Sequence, residues 1–255
     1  RIFPLGQLSD QAHWPYHHQS IEGYHPAKLR IYQDLRESCL LNGTAPGFNN
    51  SEQAPINWNV VNMLNCKYLL AQGNIEHGNL MPVYQDKRQK IVVYQNRAAL
   101  PRVWAVGETE VIADREARLA RLNDPQFDPA VTAIVEEPLA ETIAAPTEWQ
   151  GEVTRYEPNY IDVQVETDNQ TLLVLSEIFY PAGWKAFIGD QQLEIEPLNH
   201  VLRGVVVPAG EHVVEFKLEP ESYTNSRTMM AICMVLVYGA LVIALVPVIR
   251  RRKKA

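Results

Sequence analysis

The C-terminal residues 229–249 carry no charged side chain, and five basic residues follow them directly: Arg250, Arg251, Arg252, Lys253 and Lys254. At a rise of about 1.5 Å per residue, a helix over this stretch reaches about 31 Å, which matches the hydrocarbon core of a bilayer. Helices buried in soluble proteins seldom run so long without a charge. The pattern therefore predicts a transmembrane helix at 229–249 and a basic tail at 250–255.

The basic tail also predicts the orientation of the chain. Short flanks rich in Lys and Arg stay on the cytoplasmic side of a membrane, which places residues 1–226 outside the cytoplasm and the tail inside. The opening residues "RIFPLGQLSD" have neither the basic nor the apolar region of a signal peptide. Because such a domain must be exported, we expect the sequence to be the C-terminal part of a longer protein that carries a signal or further membrane spans.

The charge balance argues against a nucleic-acid partner. The chain has 23 basic and 30 acidic residues, a net charge of −7. Setting aside the five basic residues of the tail leaves 18 against 30, or −12, for everything before it. Nucleic-acid binding rests on phosphate neutralisation by clustered Lys and Arg, so we expect no nucleic acid among the partners. The lipid bilayer is the expected partner of the apolar helix.

Three cysteines give little information about disulfides. Cys233 lies in the predicted span, which leaves Cys39 and Cys66 as the pair that could form a bridge outside the membrane. A disulfide framework needs more than one uncertain pair, so the state of these two thiols stays open.

Residues 150–222 have the clearest strand pattern. Short β-rich runs are separated by turn segments such as "TDNQ", "PAG" and "GDQQ". Apolar and polar residues alternate in "YIDVQVET" and again in "HVVEFKLE", which is typical of half-buried strands. About seven such strands predict a compact antiparallel β-sandwich, with a closed barrel as the main alternative.

The preceding part of the chain mixes helix and strand signals. Helices are predicted in "PAKLRIYQDLRESCLLN", at the start of "INWNVVNMLNCKYLLAQG" and in "DREARLARLND", and strands in "KYLLA", "LMPVYQD", "KIVVYQN", "LPRVWAVGE" and "DPAVTAIVEE". The Pro- and Ala-rich residues 138–149 read as a linker. Residues 1–137 would then form an extracytoplasmic α+β domain.

Four histidines near the N-terminus raise the question of a metal site: His13, His17, His18 and His25. His13 and His17 have the i, i+4 spacing of paired helical ligands, but Pro15 between them disfavours a regular helix, and no HExxH motif is present. We therefore predict no metal ligands. Packing or hydrogen bonding is the expected role of these residues and of the "GYHPAK" turn with Tyr24, His25 and Lys28, while contact with a sugar or phosphate is the alternative.

The segment "FYPAGWKAFI" is the most distinctive stretch of the predicted sandwich. Tyr180 and Trp184 flank a Pro-Gly turn, and such aromatic rings can stack on sugars. The simpler interpretation is that Trp184 is a core residue and the turn only shapes the chain. Arg203 can pair with an acidic partner or an anionic ligand, but the simpler interpretation places it at a solvated edge. No G-x-S-x-G motif or Gly-rich phosphate loop supports a catalytic site, and Ser176 lies in a predicted strand.

Five segments together resemble the C-terminal part of the bacterial YfhO family of membrane proteins. They are "HHQSIEGYHPAKLRIYQDL", "NMLNCKYLL", "VYQNRAALPRVWAV", "LSEIFYPAGWKAFI" and "RGVVVPAGEHVVEFKLEP". They occur in order along nearly the whole chain, and the first looks most like versions from Bacteroidetes-type bacteria. Each segment alone is weak evidence for the resemblance, and the occurrence of all five in order makes it specific.

The resemblance implies a multi-pass protein of the inner (plasma) membrane, grouped with glycosyltransferases of the GT-C class. Such enzymes take sugars from polyprenyl-phosphate donors on the outer face of the membrane, so an envelope glycan or a polyprenyl-phosphate sugar is the implied partner, together with the missing N-terminal spans. The catalytic carboxylate of the class lies in an early outer loop that this sequence lacks. No catalytic residue and no cofactor can therefore be assigned to this chain.

Two functions follow as alternatives. In the first, the chain is the outer domain of a membrane glycosyltransferase, where it positions an acceptor glycan or covers the active site. In the second, it is a non-catalytic envelope module that binds glycan or protein from a membrane anchor. The candidate glycan-binding residues in both cases are Tyr24, His25, Lys28, Tyr180, Trp184 and Arg203.

Overall fold

The computed structural model describes residues 1–9, 11–23, 28–40 and 56–252, with side chains described except at Thr224 and residues 244–252. Within these residues the protein is a mixed α+β fold with three sheets, one of them curled into a half-barrel, and a C-terminal apolar helix. The lysines of the basic tail lie outside the described residues.

The N-terminal part combines short helical elements with strands. The regular elements up to residue 96 are β1 (Ile2–Pro4), a 3-10 turn (Gly6–Leu8), α1 (His13–His17), α2 (Arg30–Leu35) with a π-helical turn (Arg36–Leu40), α3 (Trp58–Met63), β2 (Tyr68–Gln72), β3 (Leu80–Asp86) and β4 (Ile91–Asn96). The Asn57 side chain accepts a hydrogen bond from Val60 N at 3.1 Å and so caps the start of α3. The predicted passage from helix to strand and the predicted hairpin are confirmed.

One local prediction is wrong. Pro15 was expected to disfavour a helix between His13 and His17, but α1 covers these residues. The helix is a single turn, and Pro15 lies within that turn, where a missing N–H group needs no intrahelical partner.

The middle of the chain supplies β5 (Val103–Val106), β6 (Glu108–Val111), α4 (Arg115–Leu122) and β7 (Thr132–Val135). Asp114 accepts a hydrogen bond from Ala117 N at 2.8 Å and caps α4. The helix buries Leu119 and Leu122, which are spaced by one turn. The helix predicted from "DREARLARLND" is thus confirmed.

The C-terminal part contains eight strands and the last helix. They are β8 (Trp149–Glu157), β9 (Tyr160–Thr167), β10 (Thr171–Ile178), β11 (Trp184–Ile188), β12 (Gln191–Leu193), β13 (Glu196–Leu198), β14 (Leu202–Val207), β15 (Gly210–Leu218) and α5 (Glu221–Arg252). The predicted alternation is confirmed in β9, where Ile161, Val163 and Val165 are buried.

The strands form an N-terminal, a central and an outer sheet. Their orders are β1-β2-β4-β3, β5-β10-β14-β13-β7-β6 and β12-β11-β15-β9-β8, respectively. The outer sheet is antiparallel throughout, whereas β6 and β7 pair in parallel in the central sheet. The central sheet joins strands from both sides of residues 138–149, so the predicted linker does not coincide with a break between sheets.

Two hydrophobic cores cover the two faces of the central sheet. The larger core joins it to the N-terminal sheet and the helices, with Trp104 and Leu172 on the sheet side. The second, the inter-sheet core, lies between the central and outer sheets and includes Leu173, Val205 and Phe216. Alternate residues of a strand point to opposite faces, which explains why neighbours such as Leu172 and Leu173 belong to different cores.

The predicted linker packs closely on the central sheet. Ala144 N donates to Gln170 O at 2.8 Å, and the side chain of Gln170 donates to Thr142 O, also at 2.8 Å. A Cβ atom placed on Gly107 would lie 1.9 Å from Ala145 N, so only glycine permits this approach. Residues 138–148 therefore have no regular secondary structure, and contacts at 142–145 hold them on the central sheet, while Trp149 begins β8.

The last helix leaves the folded part with an apolar surface. The stretch Glu221–Ile243 spans 23 residues. Its most apolar window has a mean hydropathy of 1.8, and none of that window is buried against the rest of the chain. It is long and apolar enough to cross a bilayer, and it overlaps the span predicted at 229–249.

Candidate functional site

The inter-sheet core ends in a buried arginine. Val205 and Val207 of β14 belong to this core, and Arg203 lies two residues before Val205, so its side chain emerges on the same face of the strand. Arg203 is only 3% exposed, so the prediction of a solvated edge is wrong. Buried cations are rare unless other groups compensate the charge, which makes the surroundings of Arg203 the first place to search for a site.

Trp184, the first residue of β11, covers Arg203. The guanidinium carbon lies 4.2 Å from the centroid of the Trp184 ring. Trp184 is half-buried and packs against the inter-sheet core on which Arg203 borders. A guanidinium over an indole face is attracted by the ring quadrupole, so the pair fixes the orientation of both side chains.

The guanidinium of Arg203 has unused hydrogen-bonding capacity. Its Nε and Nη1 atoms are buried and find no hydrogen-bond partner within the described ranges of the chain. Burial lowers the pKa of Arg203 to about 10, while the negative charge of Glu177 acts in the opposite direction. Arg203 therefore remains a cation at neutral pH, with two buried donors that would gain from an acceptor.

Glu177 of β10 is the carboxylate beside these cations. Its Oε1 accepts hydrogen bonds from Arg1 Nη2 at 2.9 Å and from Arg102 Nη1 at 2.5 Å. Its Oε2 accepts one from the hydroxyl of Tyr156 at 3.3 Å, and the guanidinium of Arg102 lies over the Tyr156 ring. Both members of the pair between Arg1 and Glu177 are 11% exposed in their side chains, so water screens it little.

An irregularity in β10 brings Glu177 to this position. The pairing register between β10 and β14 shifts between Leu175 and Ile178, which leaves Ser176 and Glu177 outside the regular ladder. Ser176 N donates to Arg102 O at 2.9 Å, and its hydroxyl accepts from Arg1 Nη1 at 2.9 Å. We call Arg1, Arg102, Tyr156, Glu177, Trp184 and Arg203 the arginine cluster.

The arginine cluster lies at the end of the sheets from which α5 departs. Trp184 pairs with Leu218, the last residue of β15, and α5 begins at Glu221. Glu219 N donates to Gly183 O at 2.6 Å, which ties the start of β11 to the junction between strand and helix. A candidate membrane helix and a cationic cluster therefore share one end of the fold.

Gly183 permits this tight junction. Its φ of +104° lies in the region that favours glycine, and an added Cβ atom would lie 2.8 Å from Cα of Pro220. Both the backbone conformation and the space thus require glycine beside Trp184.

The structure brings together two of the six predicted glycan-binding residues, Trp184 and Arg203. Tyr180 lies in the connection between β10 and β11 and is 42% exposed. Lys28 lies elsewhere, at a groove near α1 and α2. Tyr24 and His25 fall outside the described residues.

That groove is a concave surface on the N-terminal part of the described chain. It has a volume of about 410 Å³ and is lined by Ala12, Pro15, Tyr16, Ser20, Ile21, Glu22, Gly23, Lys28, Tyr32 and Arg36. Arg36 Nε donates to Glu22 Oε1 at 2.7 Å, and the hydroxyl of Tyr32 donates to Ile21 O. These bonds pair two of the polar side chains of the wall with groups of the wall itself. Among the described residues, no group of three His, Cys, Asp or Glu side chains is placed to hold a metal ion.

The sequence did not indicate four members of the arginine cluster. Arg1, Arg102, Tyr156 and Glu177 come from distant segments, and only the sheet topology joins them. One signal was present: Glu177 follows the apolar run "TLLVLS" of a predicted strand. A carboxylate inside a buried strand requires a cationic partner, which predicts an ion pair without naming the partner.

Both cysteines outside α5 are free thiols. Cys39 and Cys66 are buried and unbonded to each other, with Cys39 Sγ 3.7 Å from Leu119 O and Cys66 Sγ 3.4 Å from Tyr68 O. Burial raises the pKa of each thiol to about 12. They are core residues in this fold and lack the low pKa of a nucleophilic cysteine.

Comparisons with protein-family models, with curated proteins and with solved structures give no match to this chain.

Proposed function

We propose that the chain is the extracytoplasmic domain and last span of a YfhO-like multi-pass membrane protein, which transfers sugars from a polyprenyl-phosphate donor to cell-envelope glycans. The observation that carries this proposal is the position of the arginine cluster. Its cationic and aromatic side chains meet at the end of the fold where the apolar helix begins. The charged headgroup of a donor lipid, or of its product, would lie at the same depth as the arginine cluster.

The exposed surface of α5 supports membrane insertion. Its large apolar side chains include Ile232, Leu236 and Val242, which are 56%, 66% and 61% exposed, respectively. A continuous apolar surface of this size is costly in water and needs lipid or protein to cover it. In the proposed arrangement it crosses the inner membrane with residues 1–226 outside and residues 250–255 in the cytoplasm.

The layered sheets support a role in positioning. We interpret the central and outer sheets, which share the inter-sheet core, as the predicted β-sandwich, extended by β5, β6 and β7 from before the predicted linker. Two sheets that share one packed core form a rigid support. Tyr180 and Trp184, near the end of the sandwich from which α5 departs, then offer aromatic surface to a glycan held near the membrane.

The membrane topology is tested by cysteine labelling in whole cells. In a Cys233→Ser background, Lys87→Cys on the exposed turn between β3 and β4 should react with a membrane-impermeant maleimide, and Ala255→Cys should react only after permeabilisation. Equal labelling of both positions in intact cells would contradict the orientation.

The activity is tested by transfer of radiolabelled sugar from a polyprenyl-phosphate donor to envelope polymer. The whole protein is compared with a version that lacks residues 1–228. Loss of transfer in the shortened protein supports a working role for the domain in the enzyme. If neither version transfers sugar, the non-catalytic module that binds envelope glycan or protein becomes the better description.

A further inference from the structure

We infer that the arginine cluster is a binding site for a phosphate-class oxyanion, either inorganic phosphate or the phosphoryl group of a monoester. This inference goes beyond sugar transfer and can be tested without any sugar donor. It rests on three features of the described residues: unused donors, unbalanced charge and placement.

The unused donors belong to Arg203. A buried N–H group without an acceptor costs free energy, and here Nε and Nη1 of one guanidinium both lack a partner within the described part of the protein. Stacking on Trp184 holds the guanidinium plane in one orientation. A fixed guanidinium fork with adjacent free donors suits bidentate contact with two oxygens of a phosphoryl group.

The charges favour phosphate over a carboxylate. Arg1 and Arg102 both bond to Oε1 of Glu177, and Arg203 is attracted to the same carboxylate. Among the described side chains, three cations of the cluster thus share one anion, an excess of two positive charges. A phosphate monoester carries a charge of about −1.5 to −2 at neutral pH and matches this excess, whereas a carboxylate carries −1.

The shielding of Arg203 predicts how the ligand enters. Because Arg203 is 3% exposed and lies under Trp184, an oxyanion reaches its free donors only if Trp184 moves. Binding should therefore change the environment of the Trp184 indole. The same site lies next to the start of α5, so the phosphoryl group can belong to a lipid headgroup or to a soluble phosphate.

The experiment measures binding to the full chain in a neutral sugar detergent at low salt. The probes are inorganic phosphate, dihexanoyl phosphatidic acid and, as the carboxylate comparison, acetate. Titration calorimetry gives the affinity, and tryptophan fluorescence reports the movement of Trp184. We expect saturable binding of at least one phosphoryl probe with a fluorescence change that the Trp184→Phe variant loses.

Two variants of Arg203 and two control variants locate the site. Arg203→Gln should weaken phosphoryl binding by about tenfold or more, because it removes a charge-assisted bidentate contact. Arg203→Lys keeps the positive charge but loses the planar guanidinium, so it should give an intermediate affinity. An intermediate value shows that the loss in Arg203→Gln is not caused by misfolding alone. Arg118→Gln removes an equally buried arginine outside the cluster, and Arg88→Gln removes an exposed one; both should bind like the parent chain.

The two sources are separated by the probes. Tight binding of phosphatidic acid with weak binding of inorganic phosphate assigns the site to a lipid headgroup, and equal binding assigns it to a soluble phosphate. Either result supports the oxyanion site. Absence of saturable phosphoryl binding, acetate binding as tight as phosphate, or equal affinity in the parent and Arg203→Gln would overturn it.

Discussion

The guanidinium carbon of Arg203 lies 4.2 Å from the centre of the Trp184 ring, and β11 and β14, which carry these residues, belong to different sheets. The contact therefore closes one end of the space between the central and outer sheets. Its aromatic member pairs with the last residue of β15, so the same contact borders the connection to α5. Four predictions follow from this arrangement and from buried groups elsewhere in the fold.

Removing the charge of Glu177 should destabilise the fold. Glu177→Gln leaves Arg1 and Arg102 partly buried without their carboxylate, at a cost of about 3 kcal/mol in the free energy of unfolding. Thermal unfolding of the detergent-solubilised chain, followed by circular dichroism, measures the loss. Glu157→Gln breaks an exposed pair with Arg155 and should change little. Equal effects of the two substitutions would contradict a buried ion pair.

Gly183 should tolerate alanine less well than another glycine of similar backbone conformation. Gly73 has a φ of +115° with open space around it, so Gly73→Ala should cost about 1–2 kcal/mol from backbone strain alone. Gly183→Ala adds a clash with the Pro220 backbone and should cost about 1–3 kcal/mol more. The difference between the two melting temperatures checks this prediction, and similar values would show that the junction with α5 can relax.

Stability should fall as the pH drops below about 6.5, in part because of His200. Burial, followed by the charge of Arg118, lowers the pKa of His200 from 6.5; Arg115 acts in the same direction and Asp34 in the opposite one. In the window below 6.5 the unfolded chain binds a proton that the folded chain excludes, so the stabilising contribution is present above 6.5 and is lost at lower pH.

Denaturant unfolding between pH 7.5 and 5 measures this dependence. One proton accounts for at most about 1.4 kcal/mol per pH unit. His200→Asn is the matched variant, because asparagine tolerates the φ of +68° at this position. It should flatten the pH profile relative to the parent. An unchanged profile in His200→Asn would exclude His200 as the source.

Cys39 and Cys66 should resist alkylation until the protein unfolds. Burial raises their pKa values to about 12, so little thiolate forms at pH 7.5 and the reagent has no access. In a Cys233→Ser background, mass spectrometry after treatment with N-ethylmaleimide should show no adduct on the folded chain and two adducts in denaturant. A disulfide between these residues would instead leave the unfolded chain unmodified.

The elements of the fold could largely be predicted from the sequence, because their signals are local. Alternation in β9 and capping by Asp114 at α4 depend on residues within a few positions of one another. The sheets could not be predicted in the same way. β5 pairs with β10 across more than sixty residues, and no local pattern selects that partner over β6 or β14.

The candidate site was predictable only in part for the same reason. Trp184 and Arg203 stand out by residue type, and the structure places them in contact. Neither Glu177 nor Arg102 could be assigned to the site from the sequence alone, because each is buried only as the ion-pair partner of the other. The bulge that turns Glu177 toward Arg102 has no sequence signature of its own.

Two residues, Glu219 and Pro220, separate the end of β15 from the start of α5. A connection of two residues is too short to absorb a movement of the helix. The strand to which it is joined, β15, lies inside the outer sheet between β11 and β9. A tilt or rotation of α5 would therefore displace the end of β15. It would also displace Trp184, which is paired with Leu218. In the proposed membrane arrangement, a change in the tilt of α5 would therefore shift the indole that covers Arg203.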